Sequence, residues 1–147
     1  MAKVHHYLNF DGQAENAFNF YKSVFGGEFR SFMRYQDMPS PEKIPDEIGN
    51  RILHVVLPIS KHFVLMGADV HDDYGSAINR GNNSFILLAA DSSEEALRLY
   101  KGLSEGGEVE MPMEETYWSQ LYSSFKDKYG ICWMINYDGS KLDRWGQ

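Results

Sequence analysis

The chain is written twice, and that repeat constrains its fold more than any other feature. The segment Glu15-Asn16-Ala17-Phe18-Asn19-Phe20-Tyr21-Lys22 recurs as Glu94-Glu95-Ala96-Leu97-Arg98-Leu99-Tyr100-Lys101. Both ends are displaced by 79 positions, Glu15 to Glu94 and Lys22 to Lys101. Each copy follows a strand-like run and precedes a glycine with an acid behind it, Gly27-Glu28 and Gly107-Glu108. A solenoid needs at least about three short repeats. Two long copies in 147 residues fit instead two fused halves of one pseudo-symmetric domain.

The element order supports this reading. Val4 to Phe10 is a short apolar and aromatic run and predicts a strand. Asp11-Gly12 breaks it and offers a helix cap. Ala14, Ala17, Phe18, Tyr21, Val24 and Phe25 then fall on one helical stripe. Gly26-Gly27 supplies the stop, because glycine tolerates the left-handed C-cap. Strands are predicted at Glu28–Tyr35, Ile52–Ile59 and His62–Met66, with a proline-bearing loop over 37–50 between the first two. Asp69 to Asn83 is polar and reads as a connector. The order then recurs. A strand at Ser84–Ala90 leads to a helix capped by Asp91 with Glu94, its stripe formed by Ala96, Leu97, Tyr100 and Leu103. Strands at Glu108–Met113, Gln120–Phe125 and Ile131–Tyr137 complete the second half. The expectation is one domain over 1–147, with module one at about 1–70, a connector at about 69–83 and module two at about 84–140.

Composition limits the partners. The net charge of −7 argues against nucleic acid, which needs a basic face. Cys132 is the only cysteine and has no internal disulfide partner, compatible with a reducing compartment. No signal peptide is recognisable, and no apolar run approaches the ~20 residues of a membrane span. A cytoplasmic protein with no membrane partner is expected. No G-x-G-x-x-G follows a strand, so neither a dinucleotide nor a Rossmann-type methyl-donor site is supported. No nucleophile elbow and no P-loop are present.

The doubled βαβββ unit resembles the vicinal-oxygen-chelate superfamily of glyoxalase I, bleomycin-resistance proteins and extradiol dioxygenases. Its motifs are similar to those of the PhnB-like subgroup. The residues that carry the resemblance are Tyr7-Leu8-Asn9-Phe10, Glu15 through Phe25-Gly26-Gly27, Gly81-Asn82-Asn83, Met111-Pro112 with Thr116 and Trp118, and Asp127-Lys128-Tyr129-Gly130 leading to Trp133-Met134-Ile135-Asn136. The resemblance implies an α+β fold in which two βαβββ modules form an open barrel around a central cleft. It also implies a homodimer and, in the metal-dependent relatives, one divalent ion held by the first and last strands of each module.

Matching this chain to that pattern places His6 at the first ligand position. The repeat maps His6 onto Phe85, which cannot bind a metal. Met134 falls at the usual acidic position, and a thioether is a poor donor to hard ions. The remaining position falls near Leu65 or Met66. One donor of four survives, so no cofactor is expected. His71-Asp72-Asp73, in the connector, is the only local donor cluster. Taking His6 as inward, strand alternation adds Leu8 and Phe10 to its face, Leu87 and Ala89 beside Phe85, and Cys132 and Asn136 beside Met134. The candidate ligand-binding set is therefore His6, Leu8, Phe85, Leu87, Trp118, Met134 and Asn136, an apolar wall with few polar handles. Trp118 offers a flat surface for stacking. Cys132 reads as buried and inert. Three functions are carried forward. The first is a metal-independent small-molecule binding protein, similar to the bleomycin-resistance branch. The second is a metal-dependent glyoxalase- or dioxygenase-like enzyme using an unorthodox site that includes His6. The third is an interaction module with a vestigial cleft.

Overall fold

A computed structural model of the chain describes residues 1–39, 43–70 and 77–141. Its elements are β1 (His6–Phe10), α1 (Ala14–Phe25), β2 (Ser31–Arg34), a 3-10 turn at Tyr35–Asp37, the single turn α2 (Asp46–Gly49), β3 (Ile52–Pro58), β4 (Val64–Asp69), β5 (Ile86–Ala89), α3 (Ser93–Ser104), β6 (Glu108–Glu114), β7 (Leu121–Lys126) and β8 (Cys132–Tyr137). The chain divides into two compact units, Met1–Asn79 and Arg80–Gln147. The fold class is α+β. Each unit is a strand, a helix and three further strands, and each has one four-stranded sheet, ordered β1-β4-β3-β2 in the first and β5-β8-β7-β6 in the second. The first strand of each sheet runs parallel to the last, β1 to β4 and β5 to β8, while the other pairs are antiparallel. A parallel pair requires a long crossover, and the helix with two strands supplies it.

In the first unit α1 packs through Ala14, Ala17, Phe18 and Tyr21, all fully buried. Phe18 meets Phe10 of β1 edge to face at 6.3 Å. Burial of side chains such as Phe18 and Tyr21 contributes about 1.5–3 kcal/mol each. Gly67 of β4 makes the close approach possible, since a Cβ there would lie 2.6 Å from Phe18 Cε2 and 2.7 Å from the Leu8 carbonyl oxygen. In the second unit α3 packs through Ala96, Leu99 and Leu103. Tyr100 meets Phe125 of β7 at 5.9 Å. Leu97, placed on that stripe by its spacing, is 50% exposed, and Leu99 occupies the inward position instead.

The helix starts depend on carboxylates, in ways that differ from expectation. The N-cap of α1 is Gln13, whose side chain caps nothing. Asp69 Oδ1 accepts instead from the backbone N–H groups of Gly12 (2.8 Å) and Ala14 (2.9 Å). Its Oδ2 accepts from Ile52 N–H at 2.9 Å. The Tyr35 hydroxyl donates to the Asp69 carbonyl at 2.7 Å. Asp69, read as the start of a polar connector, is the last residue of β4 and is 1% exposed. The cap of α3 lies one residue later than predicted. Ser92 Oγ accepts from Glu95 N–H at 3.1 Å, and Glu95 Oε1 accepts from Asp91 N–H at 3.0 Å. The second unit has its own buried carboxylate. Asp127 Oδ1 accepts from Tyr129 and Ile131 N–H, and its Oδ2 accepts from Trp133 Nε1 at 2.8 Å.

Asp69→Ala strands three backbone donors, two of them in buried bonds. Each unmade bond to a charged acceptor costs about 1.5–3 kcal/mol, so a loss of roughly 3 kcal/mol or more is expected in chemical denaturation. Asp127→Asn, which keeps shape and loses charge, is expected to cost less than Asp69→Ala.

Candidate functional site

Each sheet has one face turned to its helix and one turned away. In the first unit the ladder sets Leu65, Gly67 and Asp69 of β4 beside His6, Leu8 and Phe10 of β1. Phe10 touches α1 and Leu8 is buried, so the face that carries His6 and Leu8 is the helix side. The face turned away carries Tyr7 and Asn9, with Met66 and Val56 beside Tyr7 and His54 beside Met33. The candidate set took the phase of β1 from the assignment of His6 as a ligand, and a one-residue slip turns every side chain of a strand over.

The slip has a traceable cause. The offset of 79 holds for the helices but not for the strand faces. Phe10, the last residue of β1, faces α1, whereas Ala89, the last residue of β5, pairs with Asn136 on the face away from α3. Ala90 still donates its N–H to the Asn136 carbonyl at 2.8 Å, so only Asp91 and Ser92 separate the ladder from α3. In the first unit Asp11, Gly12 and Gln13 make that connection, with Gly12 at φ 91°. One extra residue puts the two strands out of phase by one face.

In the second unit the helix face is marked by Phe125, which touches Tyr100 and pairs with Trp133. The alternate face carries Leu87 and Ala89 of β5, Cys132, Met134 and Asn136 of β8, and Tyr122 and Ser124 of β7. Phe85 lies one residue before β5, on the same alternation as Leu87. Trp118 lies in the β6–β7 connection and packs its ring on Tyr122 at 5.4 Å and 71°. That connection is a tight turn: Ser119 N–H donates to Thr116 Oγ1, and Ser119 Oγ donates to the Leu121 carbonyl (2.6 Å) and lies 2.9 Å from the Tyr137 carbonyl. Tyr122 stands directly opposite Asn136 in the ladder. Five of the seven candidate residues, Phe85, Leu87, Trp118, Met134 and Asn136, are thus gathered around one sheet face; His6 and Leu8 belong to the helix face of the other sheet.

The polar groups of this face are buried. Asn136 is 1% exposed and its Nδ2 donates to Asp138 Oδ1 at 2.8 Å. Asn136 Oδ1 and Trp118 Nε1 are buried with no hydrogen-bond partner among the described residues. Burial raises the Tyr122 hydroxyl above its ordinary pKa, helped by the nearby Glu110 carboxylate. Burial likewise pushes the Cys132 thiol up.

Two residues not singled out from sequence form a polar pair on the first sheet. The Tyr7 hydroxyl lies 3.3 Å from His54 Nδ1, and the rings stack with centroids 5.8 Å apart. The available signal was His54 itself, which interrupts the apolar run Ile52-Leu53-His54-Val55-Val56-Leu57. Among the described residues no three His, Cys, Asp or Glu side chains are grouped so as to hold a metal ion. The cluster His71-Asp72-Asp73 lies outside the described residues.

Two βαβββ units, each a four-stranded mixed sheet with one covering helix, define the class of fold. A family model described as the Glyoxalase/Bleomycin resistance protein/Dioxygenase superfamily matches residues 3–135. Protein YjdN of Escherichia coli (strain K12) is 28% identical over 140 residues, covering 88% of this chain and 91% of YjdN. The crystal structure of protein PA1353 from Pseudomonas aeruginosa superposes with a TM-score of 0.80 at 33% identity, covering 94% of this chain and 98% of that one. The PhnB protein from Bacillus cereus superposes with a TM-score of 0.72 at 25% identity, covering 92% and 99% of the two chains. The chain belongs to the glyoxalase/bleomycin resistance protein/dioxygenase superfamily, in its PhnB-like subgroup.

Cys132 is buried and its thiol is held protonated at neutral pH, so it should react with a thiol reagent such as DTNB far more slowly than free cysteine, and at the ordinary rate only after unfolding. Fast single-site labelling of the folded protein would show that the thiol is accessible and activated.

Proposed function

We propose that this chain is a small-molecule binding protein that works without a metal. Its site is the face of the second sheet turned away from α3, built from Phe85, Leu87, Trp118, Met134 and Asn136 with Tyr122. The observation that carries this reading is the chemistry of that face. Leucine, methionine and aromatic side chains stand with a buried amide and a half-buried indole whose N–H is buried, the composition of an apolar pocket with a few placed polar groups. A hard divalent ion calls instead for converging oxygen and nitrogen donors. His6 and Leu8 are left out of the site because their strand face serves α1.

The chain is also proposed to work as a homodimer in the cytoplasm. Each sheet ends in two edge strands, β1 and β2 or β5 and β6, whose free backbone groups need pairing or cover. No described helix is long and apolar enough to cross a membrane. Light scattering should give twice the 16.9 kDa chain mass; a monomer at micromolar concentration contradicts the dimer.

Thermal-shift screening against a library of aromatic and apolar compounds tests the central reading. A ligand at one hundred times its Kd stabilises by about 2.7 kcal/mol, and the midpoint should rise by several degrees. The rise should persist in EDTA and be lost in Met134→Glu. Metal near one ion per chain in tag-free protein, with binding abolished by EDTA, favours the enzyme reading over this one.

A further inference from the structure

We propose that the second sheet's face recognises a planar ligand whose edge presents a hydrogen-bond acceptor beside a donor, as in a lactam or other cyclic amide. The edge is read by Trp118 Nε1 and Asn136 Oδ1. The inference rests on the binding function proposed above and names its ligand class.

Buried polar atoms in folded proteins are almost always paired, and leaving one unpaired costs about 1–3 kcal/mol. Three described side-chain atoms break that rule: Trp118 Nε1, Ser123 Oγ and Asn136 Oδ1. Ser123 pairs with Ile135 on the helix side of the sheet, so it is separate from the other two. Trp118 and Asn136 share a neighbour. The indole packs on the Tyr122 ring at 5.4 Å, and Asn136 is the ladder partner of Tyr122. Directly opposed residues place their Cβ atoms roughly 5 Å apart.

The two atoms have opposite and fixed senses. An indole nitrogen only donates. Asn136 sends its amide nitrogen to the Asp138 carboxylate, which only accepts, so the amide cannot be flipped and Oδ1 remains an acceptor. One donor and one acceptor beside the same tyrosine complement a carbonyl beside an N–H. Leu87 and Met134, paired across the ladder on the same face, give the apolar surface a flat ring needs. The turn stapled by Ser119 fixes where the indole stands.

Titration of ¹⁵N-labelled protein with quinolin-2-one, and with naphthalene as its apolar isostere, tests the proposal. Quinolin-2-one should move the indole N–H resonance that disappears in Trp118→Phe. A site built on paired hydrogen bonds rejects a partner lacking them, so quinolin-2-one should bind at least about tenfold more tightly than naphthalene. Trp118→Phe keeps a ring against Tyr122 and loses the N–H, and that preference should collapse. Asn136→Leu should do the same; if it does not fold, Trp118→Phe alone decides. Equal affinity for the two probes, or a preference that survives Trp118→Phe, overturns the cyclic-amide reading while the small-molecule function stands. No shift of any resonance on this face with either probe overturns this inference, and it counts against the binding function as well.

Discussion

The Asp69 carboxylate holds the first unit together at the point where its three layers of sequence meet. It ends β4, receives the N–H groups that open α1, and receives the first N–H of β3. A carboxylate among backbone donors is held by charge-assisted bonds, roughly twice as strong as neutral ones. That single side chain therefore fixes the distance from strand to helix and the register of the strand beside it. The sheet faces follow from this register. Once Phe10 is turned to α1, Tyr7 and Asn9 have to point the other way. Asp127 gives the second unit an equivalent anchor through a hairpin turn and the Trp133 indole.

The two units share helices and topology, and they differ in how the first strand feeds the helix. Counted from the last residue bonded into the ladder, Phe10 or Ala90, three residues make that link in the first unit and two in the second. The difference is small in sequence and large in consequence, because it decides which side chains each sheet shows on its free face. The first unit shows Tyr7, Asn9, His54 and Met66; the second shows Leu87, Met134, Tyr122 and Asn136. A duplicated framework thus carries two chemically distinct surfaces.

The helices and strand order were legible because they depend on local periodicity and on a repeat visible by inspection. Ala17 and Ala96 align, and both are buried as small residues under a sheet. Strand phase was not legible in the first unit. Alternation in His5-His6-Tyr7-Leu8-Asn9-Phe10 is consistent with either face, and only the contact between Phe10 and Phe18 decides it. In the second unit Met134 and Asn136 alternate with Trp133 and Ile135, and the aromatic and β-branched pair mark the core side. Asp69 was misread because a lone acid beside a polar stretch looks solvated. Its partners are backbone donors 17 to 57 positions away, which no local pattern reveals. That Trp118 Nε1 and Asn136 Oδ1 have no hydrogen-bond partner among the described residues is likewise a matter of three-dimensional surroundings that local pattern does not carry.

The proposed site makes the second sheet, not the first, the ligand-binding surface, and it does so without a metal. Methyl-labelled methionine provides the most direct test, since Met33 and Met66 report on the first sheet and Met134 on the second. A compound that stabilises the protein in EDTA should shift the Met134 methyl resonance strongly and leave those of Met33 and Met66 in place. Shifts confined to Met33 and Met66, or shifts that arise only after a divalent metal is added, would contradict it.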